Sequence, residues 1–245
     1  MNTKTSTSAT LEHKVGPRGR FGLNFASGEV TIHGVEGDTI RVRSVDGDKA
    51  LGDVFDVQAG DDFVELRQHD TFGLGIRLFH GGTSPELDVE VPHGATVSVQ
   101  TASADIDASD LDGAKSFKTA SGDVRIRRFA GSLEVHTVSG DVELEGQAPV
   151  DLTARTVSGD MHVRVPRLRR LDMGTTSGDV RLDAELAGDG PFALRSISGD
   201  VTIVARGGFR IEAESITGDL SSEVAGKRES SPGRKILTLG RPGPT

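Results

Sequence analysis

Residues 119–146 read TASGDVRIRRFAGSLEVHTVSGDVELEG and contain one short phrase twice. Near-copies of that phrase occur seven times, and the Ser or Thr at its third position falls at residues 103, 121, 139, 158, 177, 198 and 217. The steps between these positions are 18, 18, 19, 19, 21 and 19 residues. A nearly fixed period of this length predicts one small structural unit that is stacked many times.

Each unit alternates apolar and polar residues around the phrase. Val124 and Ile126 face one side of a strand and Arg125 and Arg127 the other, because successive strand residues point to opposite sides. Two short strands and two corners use the whole period at ~3.3 Å per residue. This predicts an all-β fold, a β-solenoid with stacked coils of about 19 residues and two short strands per coil. An antiparallel β-sandwich with the phrases as hairpin turns is the alternative.

The repeat divides the chain into four parts. Residues 1–19 are polar and rich in Thr and Ser, which predicts a disordered N-terminal segment. Residues 20–90 alternate less regularly and are expected to form an irregular β entry or capping module. Residues 91–226 are expected to form the SGD-repeat solenoid, and residues 227–245 a C-terminal strand and tail.

The Ser-Gly-Asp corner is predicted to be a structural turn. Glycine there is expected at positive φ, where a Cβ is penalised, and aspartate is expected to accept hydrogen bonds from backbone N–H groups. The Thr or Ser two residues before the corner serine should form a hydroxyl ladder along the stack, in which each hydroxyl bonds either the next hydroxyl or a buried backbone carbonyl. The predicted turn residues are Gly122, Asp123, Gly140, Asp141, Gly159, Asp160, Gly178, Asp179, Gly199, Asp200, Gly218 and Asp219.

The corner residues give less support for a metal or catalytic site than for a structural turn. A Ca²⁺ ladder on the stacked aspartates would need six to eight oxygens per ion, and one Asp per coil supplies too few. A serine hydrolase built on Ser139, His136 and Asp141 is disfavoured, because neighbouring copies lack the His. The densest acidic cluster is expected to be a solvated corner; it contains Asp105, Asp107, Asp110 and Asp112. No catalytic, cofactor-binding or metal-binding residue is therefore predicted, and the chain is not expected to be an enzyme.

Composition narrows the possible partners. The formal net charge of −9 disfavours nucleic acid, which a protein binds through a basic face. The chain has no Cys, Trp or Tyr, so disulfides and an aromatic stacking platform are not expected. No stretch of about 18 apolar residues exists, so no membrane span is predicted. The first twenty residues hold no apolar signal-peptide core, which predicts a cytoplasmic location.

Three stretches resemble a bacterial putative-adhesin family, whose members are β-strand-repeat domains of unknown function. The stretches are SGEVTIHGVEGDTIRVRS (27–44), LDVEVPHGATVSVQTASAD (87–105) and the SGD repeats from 121 to 220. The resemblance implies a solenoid-like fold without established catalytic residues. It also implies a surface or envelope-stress association, which differs from the expected cytoplasmic location. The first repeat departs from the family pattern, with Ala104 in place of Gly.

These observations favour a non-enzymatic scaffold that presents flat faces to a protein or glycan partner, as a monomer or homodimer. A polymerising solenoid, in which open terminal coils pair end to end, is the alternative. A polysaccharide-active enzyme is a third possibility with less support. The sequence leaves open whether the repeated faces or the N-terminal module carry the function.

Overall fold

The computed structural model describes residues 2–3, 9–45, 50–69, 85–187, 191–206, 211–222, 226–231 and 234–239. Stacked parallel strands form a β-solenoid of about six turns, with coils ~19 residues apart. The described part of the chain contains one short helix, α1 (Leu51–Val54). That helix is too short to cross a membrane, and no other helix is described.

Nineteen strands make up the described structure, and several of the longer ones run through a corner. The N-terminal strands are β1 (Asn2–Thr3), β2 (Thr10–Lys14), β3 (Arg20–Val35), β4 (Thr39–Ser44), β5 (Phe55–Gly60), β6 (Phe63–Gln68) and β7 (Glu86–Pro92). The central strands are β8 (Thr96–Ser109), β9 (Lys115–Ser121), β10 (Val124–Ser139), β11 (Val142–Arg155), β12 (Met161–Ser177), β13 (Val180–Leu186), β14 (Phe192–Ser198), β15 (Val201–Arg206), β16 (Ile211–Thr217) and β17 (Leu220–Ser222). The C-terminal strands are β18 (Gly226–Ser231) and β19 (Arg234–Leu239).

Parallel pairing between equivalent positions of successive repeats decides between the two predicted folds. Val124 pairs with Val142, Val142 with Met161, and Met161 with Val180. An antiparallel sandwich would instead pair strands across each phrase as hairpins. The predicted β-solenoid is therefore confirmed.

Two sheets form the walls of the solenoid. The first sheet contains the segment that precedes each phrase, such as 133–137, and the second sheet contains the segment that follows, such as 142–145. Inward positions carry apolar side chains, so that Val124 and Ile126 are fully buried while Arg125 and Arg127 are exposed. Burial of apolar area between the walls is the main stabilising contribution, because no coil can bury its own face alone.

The stack begins earlier than the repeat period suggests. Strand β3 pairs in parallel with β8, placing Ser27 opposite Ser103 and Gly28 opposite Ala104. Residues 27–29 therefore form an additional corner of the stack, next to the first recognised phrase on its N-terminal side. Strands β4 to β7 then extend both sheets, partly through antiparallel pairs such as β4 with β7. Strand β2, which falls within the segment predicted to be disordered, pairs with β4 because Leu11 is buried in the core.

An antiparallel hairpin closes the C-terminal end of the first sheet. Strand β19 pairs with β16 and with β18, and both pairs are antiparallel. The second sheet ends in the described structure at β17, which pairs with β15. The C-terminal part of the chain therefore contributes two strands rather than the single strand predicted, and residues 240–245 of the predicted tail lie outside the described residues.

Candidate binding groove along the solenoid axis

The corner glycines stack directly on one another. The six SGD glycines have φ between 116° and 135°, a region that side-chain-bearing residues rarely adopt. A Cβ added to any of them would lie 2.1–2.2 Å from a carbonyl oxygen of the preceding coil. Gly28 shares the conformation, with φ 137°. The corner therefore excludes side chains for two reasons, backbone conformation and close stacking.

The corner aspartates link each coil to the next. Each side chain accepts a hydrogen bond through Oδ1 from the backbone N–H of the next Asp along the stack, at 2.8–3.0 Å, from Asp105 through Asp200. At the C-terminal end Lys235 of β19 takes the place of the missing coil and donates to Asp219 Oδ1 at 2.8 Å. No group of three or more potential metal ligands occurs among the described residues. The ladder is a chain of hydrogen bonds from backbone N–H groups to aspartate side chains.

The buried hydroxyls before each corner bond within their own coil. Thr119, Thr137, Thr156 and Thr175 each donate to the carbonyl oxygen of the corner serine two residues later, at 2.7–3.3 Å. Ser196 occupies the same position in its coil, but its Oγ is buried without a hydrogen-bond partner. Of the two arrangements that the sequence suggested, the bond to a carbonyl is the one observed.

A row of large apolar side chains lies exposed beside this hydroxyl ladder. It consists of Val138, Val157, Ile197 and Ile216, which are 44–51% exposed, and we call it the apolar row. Each of these residues follows the buried Thr or Ser of its coil and points outward. Thr176 occupies the same position in the intervening coil. Four β-branched residues in line on an outer face are unusual, because outward positions of these sheets are otherwise mostly polar.

A second row runs parallel to the first, two residues earlier on each strand. Its members Lys118, His136, Arg155 and Arg195 form what we call the basic wall, and on the strand of Ile216 the same position holds Glu214, opposite Arg195. Because residues two apart on a strand share a face, the two rows lie roughly 7 Å apart. Between them is a groove of about 680 Å³, the axial groove, whose lining contains no carboxylate. The lining runs from Gln100 to Ile197 across six coils, roughly 24 Å at ~4.8 Å per strand.

The carboxylates that balance the basic wall lie outside the groove lining. Glu134 Oε1 lies 3.5 Å from Lys118 Nζ and 2.8 Å from His136 Nε2. Burial acts to raise the pKa of Glu134, but Lys118, Ser116 and His136 together outweigh it and hold the pKa below its ordinary value. The cations therefore face the groove, while their counter-charges stand on the side away from the apolar row.

Gly174 interrupts the basic wall. In the coils on either side, the equivalent residues are Arg155 and Arg195, and both contact Asp172. Asp172 Oδ2 accepts a hydrogen bond from Arg155, and Oδ1 lies 3.8 Å from Arg195 Nη1 without forming a hydrogen bond. The result is a notch, open at Gly174 and flanked by two guanidinium groups that share one carboxylate.

The outer face of the second sheet has a different character. Ion pairs between neighbouring coils cross it, such as Arg127 with Asp107 at 2.7 Å and Arg206 with Asp183 at 2.8 Å. Its hollows measure about 80 and 190 Å³ and are lined mainly by charged side chains. Alternating charges fix the register of adjacent strands and leave less apolar surface for a partner.

The acidic cluster is engaged in the same kind of structural contact. Asp110 accepts two hydrogen bonds from Arg128, at 2.8 and 2.6 Å. These bonds to Arg128 hold the pKa of Asp110 below its ordinary value. Both residues have positive φ, 61° and 50°, and lie at the corner opposite the SGD corner. His136, in the candidate hydrolase set, contacts Glu134 rather than Ser139.

Lys115 is a buried cation at an inward position that is apolar in most other coils. Its Nζ donates to the carbonyl oxygens of Leu111 at 3.0 Å, Gly113 and Ala130. Burial lowers the pKa of Lys115 to about 8, with Asp112 opposing the shift. The ammonium group thereby supplies donors to carbonyl groups at the second corner.

Sequence reasoning missed the axial groove, although the signal was present. Aligning the phrases places Val138, Val157, Ile197 and Ile216 in one column, immediately after a residue that must face inward. Strand parity then exposes the whole column. The basic wall appears in the same way, one residue before the inward Thr.

The described residues thus form a β-solenoid with an open groove on the outer face of its first sheet. The chain belongs to the Toastrack DUF4097 family, whose model matches residues 63–239. This agrees with the predicted putative-adhesin family of unknown function. A search of curated proteins finds no match.

Three solved structures are similar to this chain at low sequence identity, and the first of them shows the same fold. A putative adhesin from Bacteroides fragilis NCTC 9343 is 16% identical with a TM-score of 0.55, covering 87% of this chain and 92% of its own. A putative cell adhesion protein from Clostridium sporogenes ATCC 15579 is 12% identical with a TM-score of 0.37, covering 88% and 95%. A putative lipid binding protein from Parabacteroides distasonis ATCC 8503 is 9% identical with a TM-score of 0.34, covering 87% and 94%.

Proposed function

We propose that this protein is a non-enzymatic, adhesin-like binding module that holds an elongated partner in the axial groove. The observation that carries the proposal is the apolar row, which exposes four β-branched side chains in line beside a groove of about 680 Å³. Exposed contiguous apolar surface is a mark of interaction sites in soluble proteins. The solenoid supports this role, because its stacked coils hold the row in a fixed line.

The composition of the groove argues against the polysaccharide-active alternative. Glycoside hydrolysis ordinarily uses two carboxyl groups that flank the scissile bond. The groove lining contains no Asp or Glu, and the nearest carboxylates are already paired with the basic wall. The named function of the Bacteroides neighbour as a putative adhesin is consistent with a binding role.

The ends of the stack argue against the polymerising alternative. Strands β18 and β19 cover the C-terminal edge of the first sheet, and Lys235 occupies the last acceptor of the aspartate ladder. A second molecule would have to displace this hairpin before its coils could continue the stack. We therefore expect a monomer or homodimer, with light scattering that does not rise steeply with protein concentration.

A matched pair of variants tests the binding function. Val157→Asp with Ile197→Asp places two charges in the groove, whereas Ser98→Asp with Thr202→Asp places the same charges at outward positions outside the groove. All four positions point outward, so both variants should fold. Partners captured from native cell extract by the wild-type protein should be recovered by the Ser98/Thr202 variant and lost by the Val157/Ile197 variant. Equal recovery by all three proteins would place the binding surface elsewhere.

A further inference from the structure

The charge of the axial groove constrains what it can hold. The whole chain carries a formal charge of −9, yet the groove lining includes Lys118, Arg155 and Arg195 and no acid. A lining of this sign on an acidic protein favours an anionic ligand, because the lining holds cations and no acid, while Glu134 and Asp172 contact those cations from outside the lining. Each guanidinium has five N–H donors, and the contacts with Asp172 engage only part of them.

Gly174 indicates where the anionic group would sit. The φ of this glycine is not positive, so its backbone does not require glycine. A Cβ at this position would meet only Arg155 Nη1 at 3.7 Å and Arg195 O at 3.9 Å, which are ordinary contacts. Glycine inside a strand weakens the strand and often marks a place where a ligand approaches closely. The missing side chain thus leaves room for a ligand between two arginines.

The apolar row favours a hydrocarbon chain over the other elongated ligands. Side chains on one side of an extended peptide repeat about every 6.6 Å, whereas the row repeats every ~4.8 Å, and a hydrocarbon chain has no such period to match. The backbone groups of the groove floor are already paired within the first sheet, so a peptide finds no open edge there. A glycan would find no Trp or Tyr to stack on, and the floor threonines already donate to carbonyl groups.

We propose that the axial groove binds a single-chain anionic amphiphile, a fatty carboxylate, with its carboxylate at the Gly174 notch between Arg155 and Arg195 and its chain along Val157 and Val138. The arginines supply the paired donors that a planar carboxylate accepts. The β-branched side chains remove hydrocarbon from water along one side. This inference rests on the proposed function, because it names the ligand class of the same groove.

The first test is calorimetric titration of the wild-type protein with octanoate, decanoate and dodecanoate below their micelle concentrations. Affinity should increase about fivefold for each two-carbon extension, as expected when each methylene is partly removed from water. The neutral 1-decanoylglycerol should bind at least about tenfold more weakly than decanoate, because it lacks the charge that the arginines recognise. Equal affinity for the neutral and charged ligands, or no dependence on chain length, would overturn the proposal.

A variant that fills the notch separates binding from folding. Gly174→Val adds a β-branched residue to a strand position where it fits, so its melting temperature should be no lower than that of the wild type. Its affinity for dodecanoate should nevertheless fall at least tenfold. Ser98→Val makes a comparable change on the same face outside the groove, several coils from Gly174, and should leave affinity unchanged. Arg195→Gln provides a second test. Its affinity for dodecanoate should fall, whereas its affinity for the neutral 1-decanoylglycerol should change little.

Three further outcomes distinguish the possible failures. Vesicles of anionic phospholipid that bind the wild type and Gly174→Val equally, with no binding of monomeric dodecanoate, would indicate a membrane-docking face and overturn the proposal. Absence of fatty carboxylate binding, together with loss of partner capture by the Val157→Asp, Ile197→Asp variant, would refute the ligand class and leave the proposed function standing. If neither ligand nor partner responds to groove substitutions, both proposals fail.

Discussion

Replacing Gly159 by Ala tests whether close stacking at the corner, and not backbone conformation alone, requires glycine. Gly159 has φ 133°, and an added Cβ would lie 2.2 Å from Gly140 O in the preceding coil. Gly37 has nearly the same φ, 132°, but an added Cβ would meet nothing within 4 Å. Gly37→Ala therefore measures the conformational cost by itself, and the difference between the two variants measures the cost of stacking.

The expected magnitudes follow from these contacts. Unfavourable φ costs about 1–3 kcal/mol at either position. At Gly159 the facing carbonyl must also move by more than about 1 Å, which strains the inter-coil hydrogen bonds from Asp160 N to Asp141 Oδ1 and from Gly140 N to Ser158 O. Each such bond contributes about 0.5–1.5 kcal/mol. Gly159→Ala should therefore be less stable than Gly37→Ala by about 2 kcal/mol.

Urea unfolding followed by far-UV circular dichroism measures this difference, since the chain has no Trp or Tyr for fluorescence. For a domain of this size a 2 kcal/mol difference corresponds to roughly 4–8 °C in melting temperature. If the two alanine variants unfold within about 0.5 kcal/mol of each other, the stacking argument is wrong and the glycine requirement is purely conformational.

Four further substitutions test other contacts. The wild-type free energy of unfolding should rise by up to about 3 kcal/mol between about pH 8 and pH 10.5, because the unfolded chain holds the Lys115 proton more tightly across that range. Lys115→Met should abolish this rise. A wild type whose stability does not rise over this range would contradict the prediction. Thr156→Ala should cost about 1 kcal/mol through its lost hydrogen bond, whereas Ser196→Ala, which removes an unpartnered hydroxyl, should be neutral or stabilising by thermal melting. Lys235→Met should raise the pKa of Asp219, which the Lys235 hydrogen bond holds low, as followed by NMR titration; an unchanged titration would show that Lys235 does not cap the ladder.

The repeat period was sufficient to predict the solenoid, because each coil has nearly constant length and its apolar parity is clear. Val124 and Ile126 could be assigned to the interior, and Arg125 and Arg127 to the surface, from alternation alone. The period could not reveal the corner at residues 27–29. Strands β4 to β7 separate Ser27 from Ser103 in the sequence, although these two residues pair directly in the sheet.

The candidate site was harder to foresee for a physical reason. Parity exposes Val138 and Val157, but it does not say that the row two residues earlier would carry cations turned toward the same space. That arrangement depends on Glu134 and Asp172 holding the cations from the far side. The burial of Lys115 was not predicted, because a charged residue at an inward strand position breaks the apolar pattern. The structure explains it by the three carbonyl oxygens that accept hydrogen bonds from its ammonium group.

The aspartate ladder also bears on how such a protein can change in length. Each coil donates one N–H to the coil before it and offers one carboxylate to the coil after it, as Asp141 and Asp160 do. A coil added or deleted within the stack therefore restores the same contacts at the new junction, whatever the total number of coils. The final corner Asp219 has no following SGD corner, and Lys235 supplies a donor to its carboxylate instead. Tandem duplication of a repeat can therefore lengthen the groove by one coil at a time without changes to the strands at either end.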